Sequence, residues 1–255
     1  MLLAIDIGNT NIVLGVYENK KLLHHSRINT HPHRTSDEYR ILIKSLLNSD
    51  SIDTKKIKGL IVSCVVPPLL AVFEEALKRY FKVRPIIVNH KTSTGIKICY
   101  TNPKEVGADR IVNAVAAYHE FGGPVIIIDF GTATTFCIVS SKGEYLGGVI
   151  APGVTISAEA LFERASKLPA VELIKPKTII GKDTVSSMQS GIIYGHAGMV
   201  DAIVERIKAE MKWKNPMVIA TGGLVELIAP ETKTIKKIRP SLTLEGLRLI
   251  YAKNQ

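Results

Sequence analysis

The sequence predicts an α/β protein of two related halves, each built on a mixed sheet. One observation is an Asp-x-Gly turn rich in hydroxyls that occurs twice, as Asp6-Ile7-Gly8-Asn9-Thr10 and as Asp129-Phe130-Gly131-Thr132-Ala133-Thr134-Thr135. A second is its setting: each copy closes one apolar run, over 2–5 or 125–128, and opens another, over 12–17 or 136–140, which is the pattern of a β-hairpin. A third is the alternation of helical apolar stripes with short apolar strands along the rest of the chain. A single Asp-x-Gly turn is common for conformational reasons alone. Two copies in matching strand context point to a duplicated phosphate clamp: Gly lets the backbone approach a phosphate, Thr and Asn offer donors, and the carboxylate can hold a cation. The halves are expected at 1–112, with the first hairpin, and 113–255, with the second.

After the first hairpin, the turn Glu18-Asn19-Lys20 leads to a strand over 21–28. His31-Pro32-His33-Arg34 reads as an exposed loop, since a metal would need a third ligand and none is near. Ser36 is placed to cap a helix with Tyr39, Leu42, Ile43, Leu46 and Leu47 on one face, and a strand follows over 59–66. Pro67 and Pro68 start the next helix, whose inner stripe is Leu69, Leu70, Phe73, Leu77, Tyr80 and Phe81, and a strand over 85–88 completes the half. In the second half, strands are expected over 125–129, 133–140 and 145–150, then a helix after Gly153. Residues 168–178, with Pro169 and Pro176, read as irregular, a lid or interface loop. A long helix over 186–211 carries Gly191, Gly195 and Gly198, which would let another element pack closely. The strand over 217–220 ends in Thr221-Gly222-Gly223, where turn chemistry alone and an adenosine-binding loop are both open readings.

Bulk properties narrow the class. With 255 residues, 46% hydrophobic and 22% charged, the chain suits one large domain or two of average size. The Met1-Leu2-Leu3-Ala4-Ile5 start lacks a basic segment and reads as a core strand rather than a signal peptide. No apolar run approaches a membrane span. Cys64, Cys99 and Cys137 are odd in number and lie in or beside apolar runs, so reduced, mostly buried thiols and a cytoplasmic protein are expected. The formal charge of +10 is spread over scattered lysines without aromatic interleaving, a solvated surface that steers anions rather than a nucleic-acid interface.

Chemistry concentrates in Tyr100-Thr101-Asn102-Pro103-Lys104-Glu105-Val106-Gly107-Ala108-Asp109-Arg110, which opens an apolar helix. An Asp-Arg pair there can serve the helix alone, Asp stabilising the N-terminus and Arg pairing with it. The same geometry can seat a small acid against helix N–H groups and Arg110 while Asp109 takes a proton from a hydroxyl.

These motifs, in this order and over essentially the whole length, resemble those of the type III pantothenate kinases, of the actin and sugar-kinase-like (ribonuclease H-like) superfold. The first turn and Thr221-Gly222-Gly223 are common in the superfold. Gly107-Ala108-Asp109-Arg110 coupled to the second turn is specific. The resemblance implies ATP-dependent phosphorylation of (R)-pantothenate to 4'-phosphopantothenate, the first step of coenzyme A biosynthesis, by in-line transfer with Asp109 as general base. It implies that Asp6 lies close to the magnesium bridging the ATP phosphates. The nucleotide would run along Asp6, Ile7, Gly8, Asn9, Thr10, Asn11, Ile12, Val13 and Thr132, with Gly222 and Gly223 at the adenosine. Asp129 would hold potassium or ammonium. Tyr100, Gly107, Ala108, Asp109, Arg110 and Thr184 would contact pantothenate, in a homodimer whose substrate pocket lies near the subunit interface. No nucleic acid or membrane is expected as a partner.

The chain departs from the family at Asp183, where Asn more often precedes the Thr. A carboxylate there either faces the anionic substrate or turns away to cap the next helix, and the capping role is the expectation. Two rival functions use the same superfold: a phosphatase or polyphosphate hydrolase, in which water replaces the alcohol, and an inactive regulatory or ligand-binding relative. The Asp109-Arg110 pair argues against the first, and intact Asp6, Asp109, Arg110 and Asp129 against the second.

Overall fold

A computed structural model describes all 255 residues. The first duplicated unit begins with β1 (Leu2–Ile7), β2 (Asn11–Glu18) and β3 (Lys21–Asn29), an antiparallel meander in which Ile7 pairs Ile12 across the first Asp-x-Gly turn. The helix α1 (Ser36–Ser49) leads to β4 (Gly59–Cys64), which pairs parallel to β1 with Asp6 opposite Ser63. Helix α2 (Pro67–Phe81) then returns to β5 (Ile86–Ile87), giving the sheet order β3-β2-β1-β4-β5. A two-residue strand, β6 (Lys97–Ile98), precedes α3 (Ala108–Phe121).

The alternation of the strands sorts this sheet into two faces. Leu3, Ile5 and Ile7 of β1 join Leu60 and Val62 of β4 in a cluster with Tyr39, Ile43 and Leu47 of α1 and Leu69, Phe73 and Leu77 of α2. Asp6 and Ser63 alternate with these residues and so share the opposite face. The cap of α1 is Thr35 and not Ser36. Thr35 has extended dihedrals, its Oγ1 accepts from the Glu38 N–H at 3.3 Å, and its own N–H donates to Glu38 at 2.7 Å. Ser36 is already helical. The Pro67-Pro68 start of α2 is as expected, because neither nitrogen has an intrahelical acceptor to lose there.

The second unit repeats the pattern with β7 (Val125–Phe130), β8 (Ala133–Val139) and β9 (Glu144–Pro152), then α4 (Val154–Arg164) and α5 (Thr184–Glu210). β10 (Met217–Thr221) pairs parallel to β7 with Thr221 opposite Asp129, and α6 (Val225–Ile228), β11 (Lys237–Ile238) and α7 (Leu242–Lys253) follow. Its strands run β11-β10-β7-β8-β9. Ile126, Ile128, Phe130, Phe136 and Ala220 pack with Ile193, Val200 and Val204 of α5, so Asp129 and Thr221 fall on the face away from that core. Residues 168–178 contain no helix or strand, as their prolines predict.

The sequence leads one to expect halves at 1–112 and 113–255. The compact units are residues 1–119 with 242–255, and residues 120–241, because α7 packs on β1 and β4 of the first unit. Thr243 of α7 donates to Asn113 of α3 at 2.8 Å, and Gly246 lies against the Val112 carbonyl with no room for a β-carbon. Cys99 corrects the expectation of mostly buried thiols: it is exposed, whereas Cys137 is buried and Cys64 half-buried. His31 and His33 lie on an exposed turn. No helix is long and apolar enough to cross a membrane. Gly246→Ala forces α7 off α3 and is expected to cost about 1–3 kcal/mol, the usual penalty of overpacking. Urea unfolding measures it, and an unchanged midpoint would show that α7 is not a structural part of the first unit.

Candidate active site

The carboxyl ends of β1 and β4 are joined by a hydrogen bond from the Val65 N–H to the Ile7 carbonyl at 3.0 Å. There the first Asp-x-Gly turn is closed by the Gly8 N–H donating to the Asn11 carbonyl at 3.0 Å, and a β-carbon on Gly8 would sit 3.0 Å from that oxygen. Thr30 steadies the turn from β3, its hydroxyl donating to the Gly8 carbonyl at 2.7 Å. Asn9 and Thr10 are exposed at the tip, with Asp6, Asn11 and Val13 half-buried beside it. Ile7 and Ile12 are fully buried in the core, so these two can offer a ligand only their backbone.

The helix bearing Asp109 and Arg110 arrives at the same end of the sheet. Gly107 accepts the first helical hydrogen bond of α3, from the Ile111 N–H at 3.2 Å, and a β-carbon on it would lie 3.7 Å from Val65 and 2.5 Å from Asp109 Oδ1. Only glycine lets the carboxylate fold back over the helix start. Asp109 Oδ1 accepts from the Arg110 N–H at 2.7 Å. Burial raises the pKa of its carboxyl above the ordinary value, outweighing this hydrogen bond and the charge of Arg110, which both act the other way. Part of the Asp109 surface nevertheless meets solvent, while Arg110 is 7% exposed. Ala108 is buried in the same first turn and Tyr100 is half-buried upstream. Asp6, Ser63, Gly107, Asp109 and Arg110 thus gather at the carboxyl end of one sheet, where open α/β folds bind ligands.

The second unit builds a counterpart around Asp129. Gly222 has φ +102°, and a β-carbon on it would lie 2.5 Å from Asp129 Oδ1 and 2.6 Å from the Phe130 nitrogen. Gly131 approaches the same carboxylate, a β-carbon there lying 3.6 Å away. Gly131, Thr132 and Gly223 are exposed at the rim. The chain leaving β9 crosses this turn at Gly153, which has no space for a side chain above the Thr132 carbonyl. No group of three or more His, Cys, Asp and Glu could by itself hold a metal. Lone carboxylates fit a cation whose other ligands are phosphate oxygens and water.

Thr184 begins α5 and lines a pocket of about 900 Å³ with Pro152, Ser157, Lys182, Asp183 and His196. Asp183 is the cap of α5: its carboxylate accepts from the Ser186 N–H at 2.9 Å and hydroxyl at 2.8 Å. The backbone hydrogen bond from Ser186 lowers its pKa. The capping role expected for this carboxylate is therefore filled, at the pocket rim. His196 was not singled out by sequence, since its ring is buried and Nδ1 shares a 2.7 Å hydrogen bond with the Ile192 carbonyl of its own helix. The only signal there is the Gly191 and Gly195 spacing, which leaves the helix face open.

Duplicated mixed sheets with acidic turns at the strand ends define a protein of the actin and sugar-kinase-like superfold. Component A of the (R)-2-hydroxyglutaryl-CoA dehydratase of Acidaminococcus fermentans is similar at a TM-score of 0.58 with 13% identity, over 99% of this chain and 96% of that one. The activator of the 2-hydroxyisocaproyl-CoA dehydratase of Clostridium difficile, solved with bound ADPNP, is similar at 0.54 with 14% identity, over 99% and 94%. The sequence profile of the type III pantothenate kinases matches residues 2–206, and a type III pantothenate kinase of Syntrophus aciditrophicus (strain SB) is 58% identical over 254 residues, covering 100% of both chains. The chain belongs to the type III pantothenate kinase family. It is an enzyme of pantothenate phosphorylation in coenzyme A biosynthesis.

A carboxyl whose folded pKa is raised contributes stability that is complete below its unfolded pKa and is lost as the pH rises through the folded one. Asp109→Asn is therefore expected to melt above the wild type at pH 8, the difference vanishing near pH 4, about the unfolded carboxylate value. Thermal melts across that range check it, and a variant that melts lower at pH 8 would show that the charge stabilises the fold.

Proposed function

We propose that this chain transfers the γ-phosphoryl group of ATP to the primary hydroxyl of pantothenate with Asp109 as the general base. The observation that carries this is the Asp109 carboxyl, held over a helix start by Gly107, raised in pKa by burial and set beside the buried Arg110. Phosphoryl transfer asks a protein chiefly for in-line positioning and charge neutralisation, and its loose transition state releases the hydroxyl proton late, so a modestly basic carboxylate suffices. Arg110 and the first N–H groups of α3 suit the pantothenate carboxylate, and Tyr100, Gly107 and Ala108 line the same approach.

The nucleotide phosphates are assigned to the turn from Asp6 to Val13 and to Thr132, supported by the exposed Asn9, Thr10 and Thr132 and by glycines that admit close backbone approach. The dehydratase activator of similar fold was solved with bound ADPNP, which supports a nucleotide site on this fold. Gly222 and Gly223 are assigned to the adenosine. Asp6 would hold magnesium, which supplies charge neutralisation at the phosphates, and Asp129 would hold potassium or ammonium. Thr184 is assigned to pantothenate, at the 900 Å³ pocket. The face around that pocket exposes Ile156, Leu161, Phe162, Ile180 and Val185 and carries the open Gly191, Gly195 and Gly198 positions, which supports a homodimer closing it. The reaction is placed in the cytoplasm, where ATP and reduced thiols are at hand.

Asp109→Asn is expected to lower kcat by about 10²-fold or more while the ATP dissociation constant stays within about twofold. Steady-state kinetics with calorimetry decide it, and near-normal turnover removes Asp109 from the base role. Activity is also expected to need potassium or ammonium. Full turnover in a sodium-only buffer, measured by ADP formation, would contradict the Asp129 assignment.

A further inference from the structure

The Ser63 hydroxyl is fully buried and has no hydrogen-bond partner. Native proteins rarely leave such a group orphaned, and exceptions ask for a reason. Ser63 stands directly opposite Asp6 in the parallel β1–β4 ladder, about 4.8 Å away along the hydrogen-bonding direction, on the same sheet face. The second unit repeats the arrangement: its strand-end carboxylate, Asp129, stands opposite the hydroxyl residue Thr221, again on the face away from the core. Thr134 also has an orphaned buried hydroxyl, but it alternates in phase with Phe136 and Ile138, which face the apolar core, so no carboxylate shares its side.

We infer that Ser63 is a positioning residue for Asp6: with magnesium nucleotide bound, its hydroxyl donates to one Asp6 oxygen and leaves the other turned toward the cation. A serine does this where alanine cannot, because an ionised carboxylate accepts only and gains from a fixed donor on the side away from its cation. The inference rests on the reading that Asp6 holds the magnesium. An orphan hydroxyl that is satisfied only in the loaded enzyme also predicts that removing it does not harm the empty protein.

The test is calorimetric titration of ATP, in saturating magnesium and in EDTA, into the wild type, Ser63→Ala, Ser63→Thr and Asp6→Asn, with thermal melts of each without ligand. Ser63→Ala is expected to weaken ATP binding about tenfold in magnesium. It is expected to leave binding in EDTA within about twofold and to melt no lower than the wild type, while Ser63→Thr, which keeps the hydroxyl, recovers most of the magnesium-dependent affinity. Equal weakening with and without magnesium, no weakening at all, or a lowered melt with failed Thr rescue would overturn the positioning role. Asp6→Asn separates the two layers. If it abolishes the magnesium enhancement and Ser63→Ala leaves that enhancement whole, only the Ser63 inference falls; if Asp6→Asn keeps it, the magnesium assignment of Asp6 falls as well.

Discussion

A carboxylate pressed against a glycine backbone recurs in both units and is the constraint on which the acid of each depends. It occurs twice with the same spacing: a β-carbon on Gly107 would stand 2.5 Å from Asp109 Oδ1, and one on Gly222 would stand 2.5 Å from Asp129 Oδ1. In each case a β-carbon would push the acid out of place. At Asp109 the consequence is electrostatic, since loss of hydration raises the pKa more than the neighbouring Arg110 lowers it. A group so placed favours the proton it would accept from an alcohol, which is what a general base for a late proton transfer needs.

The β1–β4 and β7–β10 pairs are parallel and buried, so within each unit the carboxyl ends of the pair lie together, and alternation sends Asp6 and Asp129 to the face away from each unit's apolar cluster. Helix α7 packs on β1 and β4 of the first unit and meets α3 at Gly246. The sheets thus fix the direction of each acid by the same period of two that fixes their cores.

Much of this was legible in the sequence because it is local. Asp-x-Gly between two apolar runs specifies a hairpin by its own turn chemistry, and both hairpins form as expected. The stripes of α1 and α2 repeat at helical spacing, and Pro67 marks a helix start by its fixed φ. What escaped notice is long-range. Nothing near Leu242 announces that α7 returns to the first unit, for its docking depends on a missing side chain at Gly246 meeting Val112 of another helix. The two-residue strands β6 and β11 are too short to carry a periodicity. Thr35 and Ser36 are both good caps, and only the reciprocal bond with Glu38 selects the first. At the site, the residue types of Asp6, Asp109, Arg110 and Asp129 were readable, but the glycine contacts that set Asp109 and Asp129, the burial of Ile7 and Ile12, and the orphaned Ser63 hydroxyl appear only in the folded chain.

The claim at the centre is that the phosphoryl group passes to an alcohol seated at Asp109 and Arg110 and not to water. A coupled assay of ADP release in potassium, run with and without pantothenate, tests it most directly. ADP formation that requires pantothenate, one ADP per phosphopantothenate, is the predicted result; ADP released at the same rate in its absence, or no release under either condition, would contradict the account.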